Sequence, residues 1–183
     1  ENKMTVVESF YTNEDKTHLI GKLCNNAVTS GDEIIGDQTD GAILRYCKGH
    51  DCDLERVDEI PLDSNRKMMT TIHRLDSTNN IVLSKGAPEI ILDKCKHIDD
   101  NGTIKILDDK TKQMILEKVG EMSGHELRVI GFAYKIRDEN EDESNLTFTG
   151  LLGLMDPPKK DAKKAVSDCI NAGIDVVMIT GDH

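Results

Sequence analysis

The chain has 183 residues, a formal net charge of -11 and an aromatic content of 3% without tryptophan, so its core must be built from Ile, Leu, Val and Met. So large an excess of negative charge repels polyanions, which argues against a protein that binds DNA or RNA. Five scattered cysteines and no apolar run of membrane-spanning length predict a soluble segment with reduced thiols that makes no direct membrane contact.

Periodicity of the apolar residues predicts helices mixed with antiparallel hairpins over the first 150 residues. In chain order we expect an extended segment over 3–11, a helix over 19–28, a loop over 31–37 and a helix over 39–47. Three strands follow, over 59–62, 68–75 and 80–84, and then a helix over 89–95 and a hairpin over 97–108 centred on Asn101-Gly102. The rest of this part is expected to form a helix over 109–122, a strand over 127–136 and an acidic loop over 138–145.

The last residues indicate a different architecture. An apolar run leads into Asp156, residues 162–170 have the apolar spacing of an amphipathic helix, and residues 176–179 form a second apolar run that leads into Asp182. Strand, helix and strand in this order are typical of a parallel unit with a right-handed crossover. Parallel neighbours end at the same edge of a sheet, so we expect the two aspartates to face one crevice.

The sequence predicts only two strands of such a parallel sheet, so we expect the chain to be part of a larger protein. We therefore expect a boundary near Gly150, with one domain over 1–150 and part of a second domain over 151–183.

Four basic residues lie beside predicted strands in this acidic chain: Arg66, Lys67, Lys85 and Arg128. They could converge on a ligand that carries phosphate, through charge-assisted hydrogen bonds, or they could be solvated surface side chains, which is the commoner state of Lys and Arg. Lys85 favours the first alternative because it follows an apolar strand and precedes Gly86-Ala87-Pro88. Small residues there allow a ligand to approach the backbone, and the next helix offers its positive N-terminus.

Several segments resemble motifs of the P-type cation-transporting ATPases. Residues 85–89 read KGAPE, a signature of that family, and residues 156–159 (DPPK) and 180–182 (TGD) resemble its DPP[RK] and TGD motifs. Residues 36–42, 63–70 and 127–133 are similar to its GDPTEGA, DSxRKMM and LRVLGFA segments. These matches follow the order of the family across nearly the whole chain, and the segments 36–42 and 63–70 look most like those of the calcium pumps.

The resemblance implies an α+β nucleotide-binding domain, an antiparallel sheet flanked by helices, over residues 1–150, with residues 1–8 as a strand arriving from a phosphorylation domain. Residues 151–183 would then be a partial parallel α/β segment of that phosphorylation domain, which is of haloacid-dehalogenase type. The cofactors implied are ATP and Mg²⁺, and the partners are the phosphorylation, actuator and membrane domains of the same polypeptide. The whole protein would lie at the cytoplasmic face of a membrane and couple ATP hydrolysis, through an aspartyl-phosphate, to the transport of a cation such as calcium.

By position, the resemblance assigns residues to two sites. The residues implied to bind the nucleotide are Thr39, Asp40, Leu62, Arg66, Lys67, Met69, Lys85, Gly86, Arg128 and Ile130. Those implied at the phosphorylation site and near its Mg²⁺ are Asp156, Thr180, Gly181 and Asp182. The phosphorylated aspartate is expected to precede Glu1, so we expect no ATP turnover by this chain, and we predict no metal site made by its residues alone.

Two positions depart from the family pattern. Leu62 stands where the family usually has a Phe that stacks on adenine, and losing such a stack costs about 1–3 kcal/mol in nucleic-acid systems. Asp40 stands where Glu is usual. We therefore expect weak binding of ATP.

Two other classes of protein remain alternatives. A soluble phosphatase of the haloacid-dehalogenase class, with residues 1–150 as its cap, would carry a DxD motif upstream of this segment. A non-catalytic nucleotide-binding or partner-binding module would bind ATP without any aspartate to phosphorylate.

Overall fold

The computed structural model describes residues 3–31, 33–47, 49, 53–137, 143–156, 161–177 and 179. Within these ranges the strands are β1 (Thr5–Tyr11), β2 (Val28–Ser30), β3 (Glu33–Ile35), β4 (Arg56–Asp63), β5 (Met68–Arg74), β6 (Asn80–Gly86), β7 (Cys95–Asp100), β8 (Thr103–Ile106), β9 (Arg128–Arg137) and β10 (Leu146–Met155). The helices are α1 (Glu14–Leu23), α2 (Gln38–Tyr46), α3 (Pro88–Lys94), α4 (Asp109–Gly124) and α5 (Ala162–Asn171).

Eight strands form one sheet, in which β4, β5, β6, β9, β10, β7 and β8 lie side by side in that order and β1 also pairs with β10. The pairing is antiparallel except between β7 and β10. Strand β10 therefore has neighbours along both edges: β9 on one, and β7 followed by β1 on the other. This mostly antiparallel sheet flanked by helices confirms the fold class predicted for the first 150 residues.

The central strands have the composition of strands buried on both faces. Strand β5 carries the β-branched residues Thr70, Thr71 and Ile72, which favour extended backbone, and it is buried from Met68 to His73. The hairpin of β7 and β8 turns at Asn101-Gly102, whose φ angles of 50° and 96° are those that this residue pair adopts readily. The predicted hairpin is thereby confirmed.

Side-chain caps explain where three helices begin. The side chains of Asn13, Asp37 and Asp108 accept hydrogen bonds from backbone N–H groups in the first turns of α1, α2 and α4. Helix α3 begins instead at Pro88, whose fixed φ suits a first helical residue.

The helices cover opposite faces of the sheet, and each face has its own core. The face under α1 and α2, called here the α1–α2 face, buries Ile20, Ala42, Ile43, Met69, Ile81, Leu83, Phe132, Tyr134, Leu152 and Leu154. The other, the α3–α4 face, buries Met68, Ile91, Leu92, Ile98, Ile115, Met122, Leu127, Val129, Ala133, Leu146, Phe148 and Leu151.

Two predictions for residues 19–37 are wrong. The helix over 19–28 ends at Leu23, and Val28 belongs to β2. Beyond Leu23, side chains take the carbonyls that a further helical turn would use: Asn25 donates to Gly21, and Arg56 donates to Leu23 and Asn25. The loop predicted over 31–37 contains β3, which pairs antiparallel with β2.

The predicted second strand of the tail is also wrong for the residues that the structure describes. Helix α5 forms as expected, but residues 174–177 and 179 are not in a strand. Because β9, β7 and β1 already pair with β10, no edge of β10 is left to start a parallel unit. Strand β10 also runs through residue 150 as far as Met155, so the domain boundary stays a prediction.

No helix within the described residues is long and apolar enough to cross a membrane.

Candidate functional site

The N-terminal end of α2 lies over the α1–α2 face and contacts two basic residues of the sheet. The Asp37 carboxylate caps the helix by accepting from the N–H groups of Thr39 and Asp40 at 2.8 and 3.4 Å. Burial opposes ionisation of Asp37, but these hydrogen bonds outweigh it and hold the pKa of the carboxyl below its usual range. The first turn of α2 is thereby fixed with Thr39 and Asp40 half-buried against the sheet.

Lys85 is buried and ion-paired on this face. Its Nζ lies 2.5 Å from Oδ1 of Asp40, and the two side chains are only 8% and 15% exposed. Lys85 is on β6, where alternate residues share a face, so it lies beside Leu83 in the α1–α2 core. A buried ammonium needs such a partner, because desolvation of a charge costs several kcal/mol.

Arg128 reaches the same turn of α2 from the neighbouring strand. Its Nη1 donates to Oγ1 of Thr39 at 3.0 Å. Strand β9 pairs with β6 so that Phe132 lies opposite Lys85, and Arg128 is four residues further along the same face, about 13 Å away at the usual rise of a strand. Ile130, half-buried, packs on the core between them. Two cations on adjacent strands thus hold two consecutive residues of one helix.

A row of residues extends from Lys85 toward the edge strand β4. Met69, buried on β5, lies opposite Lys85. Leu62 is on β4, the strand beside β5, where the pairing is irregular between Ile60 and Asp63, and it is 69% exposed although it is apolar. Gly86 has no room for a side chain, since a Cβ there would lie 2.4 Å from the Lys67 carbonyl oxygen, so its role in the fold is close packing of β5 and β6.

The other two basic residues do not join the pair. Arg66 donates through Nη2 to Oε1 of Glu143 at 2.7 Å and to the carbonyl of Met68. Glu143 also accepts from Thr70, whose side chain lies on the opposite face from Met69 and Lys85 because residues alternate along β5. Lys67 is exposed in the turn between β4 and β5, with a φ of 53°. The structure therefore brings together Lys85 and Arg128 but not all four cations.

A hydrogen-bonded network behind Asp40 was not predicted from the sequence. Oδ2 of Asp40 accepts the backbone N–H of Asn26 at 3.0 Å. The Asn26 side chain in turn contacts Arg56 at 2.7 Å and Glu59 at 2.8 Å. These residues carry no motif; an arginine within the acidic stretch 53–59 is the one weak signal.

The structure describes one of the four residues expected at the phosphorylation site. Asp156 is exposed directly after β10, whereas Thr180, Gly181 and Asp182 lie outside the described residues. In the parts of the chain that the structure describes, no group of three or more His, Cys, Asp or Glu residues is placed to hold a metal ion.

Two thiols near Lys85 are chemically inert. Cys24 and Cys47 are fully buried in the α1–α2 core. Burial raises the pKa of both, to about 12 for Cys47, even though the Lys85 ammonium opposes the shift. Neither is a thiolate at neutral pH, so nucleophilic chemistry by cysteine is not what this site offers.

Comparison with known proteins gives one consistent family. The family model described as "P-type ATPase, cytoplasmic domain N" matches residues 15–161. Three similar relatives are Calcium-transporting ATPase 1 of Bacillus cereus, 37% identical over 209 residues, the Calcium-transporting ATPase of Bacillus subtilis, 32% identical over 182 residues, and the Sodium/potassium-transporting ATPase subunit alpha of Drosophila melanogaster, 32% identical over 197 residues.

These alignments cover 100%, 90% and 90% of the present chain but 23%, 20% and 19% of the relatives. The chain thus spans about a fifth of the length of the curated relatives that it matches.

Proposed function

Since this chain belongs to the P-type ATPase family, in which it corresponds to cytoplasmic domain N, we propose that it binds ATP on the α1–α2 face, beside the N-terminal turn of α2. The observation that carries the proposal is the meeting of Lys85 and Arg128 with Asp40 and Thr39 in a chain of net charge -11. Such a chain repels a polyphosphate in general, so binding needs a local group of cations.

The placement of the residues suggests how the nucleotide lies. The base would occupy the region of Leu62, Met69 and Lys85, where an exposed apolar side chain and a buried methionine offer apolar contact. The phosphates would extend along β9 toward Arg128, whose exposed guanidinium can make charge-assisted bonds with them. Asp40 and Thr39 would contact the nucleotide from α2. Arg66 and Lys67 would lie outside this core of the site.

The whole protein is proposed to be a cation pump that works at the cytoplasmic face of a membrane, with calcium as the cation. The names of the Bacillus relatives support calcium, although a sodium/potassium pump is 32% identical as well. In such a pump this domain would hold ATP while a phosphorylation domain, to which we assign residues 151–183, accepts its γ-phosphate.

Mg²⁺ would accompany the reaction and neutralise charge on the phosphates. The Asp156 carboxylate, exposed at the end of β10, is of the type that this cation prefers. We assign Asp156, with Thr180, Gly181 and Asp182, to the phosphorylation site, and we expect no turnover by this chain alone.

Calorimetric titration with ATP tests the binding proposal. Lys85→Ala and Arg128→Ala should each weaken binding about tenfold or more, as expected for the loss of a hydrogen bond to a charged group. Lys94→Ala is the matched control, because Lys94 is exposed on α3, on the opposite face of the sheet, and it should change affinity less than about twofold.

Arg128 is exposed, so its variant keeps the test valid even if Lys85→Ala fails to fold. Equal affinities for the Arg128 and Lys94 variants, or no binding of ATP by the wild-type chain, would contradict the proposal.

A further inference from the structure

The Asp40 carboxylate is held from behind by a chain of hydrogen bonds that begins at the edge of the sheet. Asp40 uses one oxygen for Lys85 and the other for the backbone N–H of Asn26. The carbonyl of Asp40 also accepts from the Asn25 side chain at 3.0 Å. The segment between α1 and β2 is therefore in direct contact with the residue that pairs with Lys85.

Arg56 fixes that segment. From its place on β4 the guanidinium donates to the carbonyls of Leu23 and Asn25, each at 2.7 Å, and to Oδ1 of Asn26 at 2.7 Å. Glu59, three residues later on the same strand, accepts hydrogen bonds from both Arg56 and Asn26. One side chain thus satisfies three acceptors of a segment about thirty residues earlier in the chain.

These contacts have a geometric consequence for the site. A guanidinium has five N–H donors in a fixed plane, whereas an ammonium has three donors on a flexible stem, so the guanidinium holds several oxygens in one defined arrangement. Because Arg56 holds residues 23–26, the Asn26 N–H stays directed at Asp40, and Asp40 in turn keeps the buried Lys85 ammonium in place. Ordering of these groups before binding lowers the entropic cost of taking up a ligand.

We propose that Arg56 is a positioning residue of the nucleotide site, acting through Asn26 on the Asp40–Lys85 pair without contacting the nucleotide itself. This inference rests on the proposed function. It predicts that loss of Arg56 weakens ATP binding only as long as Asp40 is present to transmit the effect.

A double-mutant cycle tests this coupling. By calorimetry, Arg56→Ala should weaken ATP binding about three- to tenfold, since residues of one hydrogen-bonded network show coupling of this order. In the Asp40→Ala background the same substitution should change affinity less than about twofold. Arg56→Lys, which keeps the charge but loses the planar donors, should give an intermediate affinity.

Arg74→Ala is the matched control. Arg74 is also an arginine near this edge of the sheet, with a carboxylate partner, Glu55, at 3.4 Å, but its side chain is 52% exposed and, among the described residues, no contact links it to Asp40. It should leave affinity unchanged in either background.

A second measurement needs no nucleotide. Amide hydrogen exchange of Asn26 should be at least about tenfold faster in Arg56→Ala than in wild type, because local opening exposes this N–H, and it should be unchanged in Arg74→Ala. A wild-type chain that binds no ATP would overturn the proposed function. If ATP binds but Arg56→Ala behaves like Arg74→Ala, or weakens binding equally without Asp40, the positioning role alone is overturned.

Discussion

Each face of the main sheet is covered by two helices, but the side chains buried between the helices and the sheet differ between the two faces. The α3–α4 face has an apolar core, with Phe148, Ile115 and Met122 fully buried, and carries the Arg66–Glu143 ion pair beside Thr70 as well. Under α1 and α2 a core of the same kind is interrupted by Lys85 and its partner Asp40. A buried ion pair is often no more stabilising than apolar residues of the same size, so the Lys85–Asp40 pair inside this core is a feature of the α1–α2 face that stability alone does not explain.

The largest expected effect is on stability and comes from the apolar core of the α3–α4 face. Phe148→Ala should lower the free energy of unfolding by about 4 kcal/mol, because a large buried side chain is lost and a cavity is left. The folded fraction should bind ATP with unchanged affinity. Denaturant unfolding with a parallel ATP titration checks both statements, and a variant that stays as stable as wild type but loses ATP would break the contrast between the faces.

On the other face, apolar replacement should separate stability from binding. Lys85→Met alone should cost about 3 kcal/mol, because it leaves the half-buried Asp40 carboxylate without its cation. The double variant Lys85→Met, Asp40→Leu should unfold at the same denaturant concentration as wild type or higher, yet bind ATP at least about tenfold more weakly. If the double variant is as unstable as the single one, the ion pair is structural and the comparison fails.

Asp99 gives a prediction for pH. Burial opposes its ionisation, but hydrogen bonds donated by Asn13, Tyr134 and the Gly102 N–H outweigh that cost and hold its pKa below the usual range. A lowered folded pKa stabilises the protein fully above the unfolded value of about 3.9 and less as the pH falls through the folded value.

Wild type should therefore be about 2 kcal/mol more stable than Asp99→Asn at pH 7, and this difference should shrink as the pH falls below about 4. Asp100→Asn is the control, since Asp100 is half-exposed and pairs with Lys105 at the surface. Urea unfolding at a series of pH values measures both variants. A difference for Asp99 that does not depend on pH would rule out the charged form as the source of stability.

The smallest effect concerns Leu62. Because Leu62 is exposed on β4, the edge strand beside the one that carries Met69, Leu62→Phe adds an aromatic face for the base and should tighten ATP binding by about 1 kcal/mol, or about fivefold. Ile106→Phe, at an exposed position on the opposite edge strand β8, should have no effect. Unchanged or weaker affinity in Leu62→Phe would place the base elsewhere.

Local patterns predicted the elements whose signals lie within a few residues. The Asn101-Gly102 turn, Pro88 at the start of α3 and the β-branched run in β5 each depend on local backbone preference, and all three are confirmed. The hairpin of β2 and β3 was missed because its strands are three residues long and mostly exposed, so no apolar alternation marks them.

Long-range contacts were beyond a local pattern. Arg56, which donates to the carbonyl of the last residue of α1, lies 33 residues after Leu23. Arg66 was grouped with Lys85 because both are basic residues beside predicted strands and lie in segments that resemble family motifs, but alternation along β5 and the contact with Glu143 direct it to the other face. Resemblance to a family identified Lys85, Asp40, Arg128 and Thr39 as a group, whereas their pairing became visible only when β6, β9 and α2 were packed together.

The most direct measurement of the central claim is a titration of the isotope-labelled chain with ATP, followed residue by residue through its amide resonances. If the α1–α2 face holds the nucleotide, the largest shifts will occur at Thr39 and Asp40 in α2, around Lys85 in β6 and around Arg128 in β9, while α4 stays unchanged. Shifts concentrated on α3 and α4, or no shifts at saturating ATP, would contradict the account.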